Sequence, residues 1–401
     1  MRIPMLKDNI IIERSANFLI ILPILWIFTG LFYFKNGDKI LVVLTLISAL
    51  ISFIIYRSGV LKENLKNQYL WVMLFLLILS LFFDVFNIVN PLNIRSISIV
   101  CVLAIFMPYR LLSKKILSLI IFSGSLCSLL YIIHITFILK IPRALWPINA
   151  IPYSTYICVI GVLALINFLF IKNKILKTLS LVAVIFSIAA VMLSETRGAM
   201  IALLPTLLAI ALYYTYTNGC SKKTWSYILI GSLLIIGGSF HILKDRLYDA
   251  TAHEIATFNS GNENTSIGIR LNLWKAGLIL IKESPFHGIA NNMKDDVQQL
   301  VNQHKIYNND YSIFSHFHNQ YIDVAAKWGL QSLAFLLLIL LVPLFRLNKT
   351  NSYTSISFIS ITSILMIAGL TDPPLINKQL FIMFFSLFTL IYGLNKKSES
   401  N

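Results

Sequence analysis

His316-Phe317-His318-Asn319 stands shortly before a long apolar run. A histidine opening a helix near a polar–apolar boundary can serve as a general base, because its ordinary pKa lies near neutrality. Two histidines at i and i+2 can also offer two ring nitrogens to a metal ion, with His287 and His304 as further donors. No HExxH and no Cys/His spacing supports that alternative, and no metal is assigned. Six of the seven histidines (His241, His253, His287, His304, His316 and His318) fall between 241 and 318, and only His134 lies elsewhere. A polar segment that gathers imidazoles, arginines and carboxylates has the composition of a site, although single histidines are ordinary in polar loops.

Arg197 sits in Ser194-Glu195-Thr196-Arg197-Gly198, where a seventh apolar run ends. Gly198 permits close approach, and a guanidinium there can grip a phosphate with two parallel hydrogen bonds. The alternative is a salt bridge to Glu195 or to an acid of the later polar segment. Arg270 is a second cation available on the same side. Two arginines, a histidine and a lipid-facing scaffold suit a diphosphate-linked lipid substrate.

The elements that must position these residues are membrane helices. Of 401 residues, 57% are apolar and 12% charged, with a mean hydropathy of +0.77. Soluble domains run nearer 45–50% apolar and about 25% charged, so Rossmann, barrel and sandwich folds are excluded. The net charge, 33 − 17 = +16, comes mostly from span ends, with no basic stripe carrying interleaved aromatics. It reflects membrane topology and does not indicate nucleic acid. Cys101, Cys127, Cys158 and Cys220 are scattered without a disulfide or zinc spacing.

Twelve spans are expected, at 15–34, 40–56, 68–86, 96–112, 116–139, 154–171, 175–194, 198–216, 225–243, 326–345, 353–370 and 377–394. The first is read as a retained span, since no small-residue cleavage site follows it. With a cytoplasmic N-terminus, the inside loops hold 18 Lys and Arg and the short outside loops 7. The positive-inside rule therefore puts both termini in the cytoplasm. The expected domains are 1–243, with nine spans; 244–325, a large outside loop; and 326–401, with three spans and a cytoplasmic tail.

The loop 244–325 does not read as disordered. Leu271, Trp274, Leu278 and Ile281 recur at helical spacing until Ser284-Pro285, and the tryptophan suits a helix lying along the membrane surface. Gly261-Asn262-Glu263-Asn264-Thr265-Ser266 reads as a flexible connector ahead of it. In a second helix Met293, Val297, Leu300, Val301 and His304 share a face. Asn292 can cap it, and Asp295 and Asp296 suit its first turn.

Four motifs then acquire a common meaning. Ser194-Glu195-Thr196-Arg197-Gly198-Ala199, Gly268-Ile269-Arg270-Leu271 with Trp274, Ser284-Pro285 with Gly288, and His318-Asn319 with Tyr321 and Gly329-Leu330 resemble, in this order, the O-antigen ligase and polymerase superfamily. The departures are Ile289-Ala290 after Gly288 and Gln331 after Gly329-Leu330, where further glycines are usual. The resemblance covers 190–330, and the span count with one large late periplasmic loop extends it over the chain.

The resemblance implies an all-α polytopic membrane glycosyltransferase of about 12 helices in the bacterial inner membrane, with its site facing the periplasm. At this length it looks most like the ligase branch. That branch moves O-antigen from undecaprenyl diphosphate to a sugar of lipid A-core, with inversion and without cofactor or metal. Carried over, Arg197 and Arg270 match the arginines that hold the diphosphate, and His318 matches the histidine that activates the acceptor hydroxyl. Glu195, His316, Asn319 and Tyr321 are expected to orient them. The implied partners are the undecaprenyl-diphosphate-linked O-antigen donor, the lipid A-core acceptor and membrane lipids, with no nucleic acid. The polymerase branch uses the same donor. A secondary transporter fits the span count, yet acids and bases inside spans are nearly absent, Asp84 being the main exception.

Overall fold

The computed structural model describes residues 10–86, 93–218, 250–290, 292–342, 344 and 352–399. Every regular element among them is helical, as a bilayer demands, because a helix satisfies its own backbone groups where no water can. The expected ninth span 225–243, with His241 and Cys220, lies outside the described residues. Seven described helices are long and apolar enough to cross a membrane, and four shorter apolar helices accompany them.

One compact unit comprises Met1–Ala190, Ile339–Thr362 and Leu375–Asn401. Its described helices begin with α1 (Ile10–Thr29), α2 (Gly37–Tyr56), the short α3 (Ser58–Asn64) and α4 (Gln68–Val85). α5 (Ile94–Phe106), α6 (Lys114–Ile133), α7 (Ala150–Phe170) and most of α8 (Lys174–Leu193) follow. Side-chain caps set several starts. Asn67 accepts from the Tyr69 amide, Asn93 from Ser96 and Ser113 from Ile116. α7 is the central post, with Tyr153 and Tyr156 fully buried. Lipid is as apolar as leucine, so close packing and interhelical hydrogen bonds hold such helices together. The Tyr153 hydroxyl donates to the Ser128 carbonyl at 2.6 Å, and Tyr353 donates to Asn167 at 2.8 Å.

The second unit comprises Val191–Leu338 and Ser363–Pro374. It holds α9 (Arg197–Asn218), α10 (Ala250–Asn259), α11 (Ser266–Glu283), α12 (Met293–Asn302) and α13 (Gln320–Trp328). It also holds most of α14 (Leu330–Leu341) and the C-terminal end of α15 (Ser352–Gly369). The last described helix, α16 (Lys378–Glu399), belongs to the first unit.

The polar segment folds around its own core. Leu273, Ala276 and Leu280 of α11 pack with Met293, Val297, Leu300 and Val301 of α12, and with Ile306, Tyr311, Phe317 and Ala326. The expected apolar face of α12 is the one buried, although His304 falls beyond the helix with φ +56° and is exposed. The apolar spacing of α11, read as a helix along the membrane surface, stays mostly outside that core, with only Ile281 packed against it. Leu271 and Leu278 are exposed, while Asn272, Leu273, Ala276 and Gly277 are buried. The reason is proximity: α11 lies against α13 so closely that a Cβ at Gly277 would collide with the Ile322 side chain. Ala276 and Gly277 allow the close crossing, and Leu273 and Leu280 are buried in the core beside them. The expected tenth span, 326–345, is also broken. α13 begins earlier, at Gln320, and Gly329, at φ +82°, ends it before α14 starts. The Leu330 amide donates to the Pro285 carbonyl at 2.8 Å across that break.

Gly277→Ala should test the crossing. Helix propensity alone favours alanine by about 1 kcal/mol, whereas overpacking costs about 1–3 kcal/mol. The variant is expected to melt at a lower temperature than wild type in detergent, and a higher one would refute the close approach.

Candidate functional site

α13 starts at Asn319, whose side chain accepts hydrogen bonds from the Tyr321 and Ile322 amides at 3.0 and 3.1 Å. The same side chain donates to the Leu370 carbonyl at 3.2 Å, and the Tyr321 hydroxyl donates to the Met366 carbonyl at 2.9 Å. These two residues fasten α13 to the end of α15 and the turn after it. That turn carries Asp372.

His318 precedes the cap with φ +50°, a left-handed backbone that is costly for a residue with a Cβ and tends to persist at functional sites. Its Nδ1 lies 3.0 Å from Asp372 Oδ1. Asp372 is nearly buried, and its carboxylate favours the tautomer with the proton on Nδ1, which leaves Nε2 with a free lone pair. Phe314 meets the ring edge-on at 5.4 Å, and the His318 carbonyl accepts from Trp274 Nε1 at 3.3 Å. The expected membrane-surface tryptophan of α11 is thus half-buried and tied to the histidine.

His316 stands beside it, the two rings 4.3 Å apart and nearly perpendicular. Its Nε2 is 3.9 Å from Asp372 Oδ1, and its Nδ1 accepts from the His318 amide at 3.4 Å. Burial holds the His316 pKa below its usual value of 6.5, with His318 and Lys327 acting the same way and Asp372 and Asp323 opposing. Ligand atoms of His316, His318 and Asp372 all lie within 4.8 Å of one another. His253, His287 and His304 are exposed and do not join this group.

The loop is held by a buried ion pair. Asp323 Oδ1 lies 2.8 Å from Lys327 Nζ, one helical turn on, and also accepts from the Phe317 amide at 3.0 Å. Lys327 Nζ donates to the Ser315 carbonyl at 2.7 Å. Residues 315–317, immediately before His318, are therefore pinned to α13 from both sides.

Arg197 opens α9 after a turn in which Glu195 takes φ +52°. Its acidic partner is Glu254 of α10, at 2.8 Å, an acid of the later polar segment. The other Glu254 oxygen accepts from the Ile267 amide in the first turn of α11 at 3.1 Å. A carboxylate is thus seated between a guanidinium and a helix N-terminus, the setting that binds phosphates. Arg270, one turn further along α11, donates to Ser266 at 3.0 Å, and its buried Nε has no hydrogen-bond partner. Burial lowers the Arg270 pKa, while Asp372 and Glu254 raise it and Arg197 lowers it. All four charges therefore act on one locality. Gly198 abuts Thr371 so tightly that a Cβ would strike its hydroxyl, which seats the start of α9 against the Asp372 turn.

Sequence inspection missed Asp372 and Glu254 as partners, and Asp323 and Lys327 as supports. Asp372 left a signal: it is the one acid between 351 and 394, in Thr371-Asp372-Pro373-Pro374. The other three are ordinary charges of a polar segment until folding brings their partners together.

The class is therefore an all-helical polytopic membrane protein whose second unit carries a compact arginine–histidine–carboxylate site. Residues 182–339 match the family described as O-antigen ligase. An uncharacterized protein of Haemophilus influenzae is 32% identical over 176 residues, 42% of this chain and 43% of that protein. The O-antigen ligase of Escherichia coli K12 is 26% identical over 189 residues, 45% of this chain and 43% of that protein. The matches span under half the length of each relative. The segment similar to the O-antigen ligase family contains Arg197, Arg270 and His318; Asp372 lies beyond it.

Two outcomes follow from this geometry. Lys327→Met leaves a buried carboxylate unpaired and should cost about 3–5 kcal/mol. A Lys327→Met, Asp323→Asn double variant should recover part of that loss in thermal melts. A double variant no better than the single would remove the pair's role. The second outcome concerns pH. Folding lowers the His316 pKa, so the unfolded chain binds more protons at and just below pH 6.5. Stability should rise with pH through that range and fall on acidification, and His316→Gln should flatten the slope measured by melts across pH.

Proposed function

We propose that this chain is an O-antigen ligase. It transfers O-antigen polysaccharide from undecaprenyl diphosphate to a sugar of lipid A-core, at the periplasmic face of the bacterial inner membrane, with both chain termini in the cytoplasm. The carrying observation is His318 Nδ1 at 3.0 Å from Asp372, in the locality where Arg197 and Arg270 act on each other electrostatically.

The chemistry follows from the charges. In the donor the anomeric carbon is bonded to an oxygen of the diphosphate. The acceptor hydroxyl attacks that carbon from the opposite face, the carbon–oxygen bond to the diphosphate breaks, and configuration inverts. His318 Nε2 takes the hydroxyl proton, and Asp372 stabilises the imidazolium that forms. Arg197 and Arg270 meet the negative charge that builds on the leaving diphosphate. The unpaired Arg270 Nε gives that anion a ready donor. Glu254 holds Arg197, and the diphosphate takes over that contact on binding. Asn319 and Tyr321 keep the histidine and the aspartate in register. The transfer needs no metal and no cofactor.

The test is a null strain complemented with wild type or with variants, reading lipopolysaccharide on gels and the lipid-linked glycan pool. His318→Ala should lower transfer by roughly 10²–10⁴-fold, and Arg197→Ala, Arg270→Ala and Asp372→Asn should each impair it at unchanged protein levels. A null that lacks the ladder on lipid A-core while lipid-linked glycan accumulates supports the ligase. A single repeat unit on the core would mean the polymerase, and an unchanged ladder would sink both.

A further inference from the structure

We propose that His316 Nε2, His318 Nδ1 and Asp372 Oδ1 form an inhibitory site for a borderline divalent transition metal, with zinc as the fitting ion. The proposal rests on His318 being the base of the transfer described above. Two imidazoles and one carboxylate are the donor set such ions prefer, whereas calcium and magnesium favour all-oxygen surroundings. Nitrogen and oxygen ligands bind zinc at about 2.0–2.2 Å, so tetrahedral neighbours sit about 3.3 Å apart. The separations here are 3.0 Å for His318 to Asp372 and 3.9 Å for His316 to Asp372, with all three ligand atoms within 4.8 Å. Small ring rotations close that difference.

The three side chains are largely buried, at 21%, 15% and 10% exposure, which leaves room for a fourth, solvent or substrate oxygen ligand. Burial also favours neutral His316, the form that can ligate. Coordination would replace two local bonds: the 3.0 Å hydrogen bond from His318 Nδ1 to Asp372, and the long 3.4 Å contact from the His318 amide to His316 Nδ1, since the His316 proton must move from Nε2 to Nδ1.

Inhibition follows from the tautomer. In the active arrangement Nδ1 of His318 carries the proton and donates a hydrogen bond to Asp372, and Nε2 holds the lone pair that takes the proton of the acceptor hydroxyl. A metal on Nδ1 binds that nitrogen's own lone pair and takes the position of its proton. The displaced proton then resides on Nε2, which can no longer act as a base. Zinc thus competes with a proton at one nitrogen and disables the other. His316 supplies the extra ligand that makes this contest winnable for the metal, a role the transfer chemistry does not require of it.

The experiment uses the purified full chain in detergent. Zinc binding is measured by calorimetry, cobalt binding by its visible absorption, and glycan transfer across a zinc titration. Wild type should bind one zinc more tightly than His316→Gln by at least about tenfold. The zinc concentration that halves transfer should rise by a similar factor in His316→Gln, whatever its basal rate, and calcium should leave transfer unaffected. Chelator should restore zinc-treated enzyme to full rate. Equal zinc affinity in wild type, His316→Gln and a His316→Gln, Asp372→Asn double variant would overturn the site. Tight, His316-dependent zinc binding with undiminished transfer would overturn the inhibition. Full transfer by His318→Ala would instead defeat the base assignment, and the binding arm would still decide the metal site.

Discussion

A single carboxylate oxygen, Asp323 Oδ1, carries two contacts: the Phe317 amide and the Lys327 ammonium. Lys327 in turn holds the Ser315 carbonyl. A buried pair of this kind gains little net stability, because desolvation offsets most of the attraction. Its value is geometric. The segment 315–317 has no helix or strand to fix it, and the pair supplies the missing hydrogen-bond partners from α13. Phe317 is then fully buried in the core of the second unit, and His318 follows directly with its strained backbone. That anchor joins the Trp274 contact on the His318 carbonyl and the Asp372 contact on its ring in holding a non-glycine residue at φ +50°.

The charges of the site obey the same economy of water. Arg270 is partly buried and its buried Nε has no hydrogen-bond partner, an arrangement that costs free energy. Arg197 avoids that cost by meeting Glu254, whose second oxygen satisfies the first turn of α11. One arginine is thus held ready by a carboxylate and the other is left open. In the proposed transfer the diphosphate would exchange with Glu254 at the first and pair directly with the second. Preorganised cations of this sort act more strongly in a water-poor setting than they would in bulk solvent.

Breaks in the helices mark where function enters. A bilayer tolerates non-helical backbone only where protein or a water-filled cavity surrounds it. In the second unit the turn at Glu195, the break at Gly329 and the turn carrying Asp372 all fall at helix ends, next to the residues that carry charge. Each break is repaired locally: the Leu330 amide finds the Pro285 carbonyl, the Ile289 and Ala290 amides find Ala326 and Lys327, and Asn319 caps α13. The unit can therefore expose reactive side chains without leaving buried backbone groups unsatisfied.

Hydropathy and charge bias in the sequence determine that the chain is helical and polytopic, since long apolar runs have no other way to satisfy their backbone. The types of the key residues are legible too: Arg197 as a cation oddly placed at a span end, Arg270 as a second cation on the same side, and His318 as a base opening a helix. The buried face of α12 could be read from its period, because large apolar residues line one side. The buried face of α11 could not, because it mixes Asn272, Leu273, Ala276, Gly277 and Leu280, with Gly277 at a close crossing, while Leu271 and Leu278 keep the same spacing outside it. Nor could the pairing of His318 with Asp372, 54 residues apart, or of Arg197 with Glu254, 57 apart. Those partnerships depend on which helix ends meet, and no local pattern encodes that. Only tertiary packing, by joining α13 to the end of α15 and α10 to the start of α9, decided which of many acids would face each base.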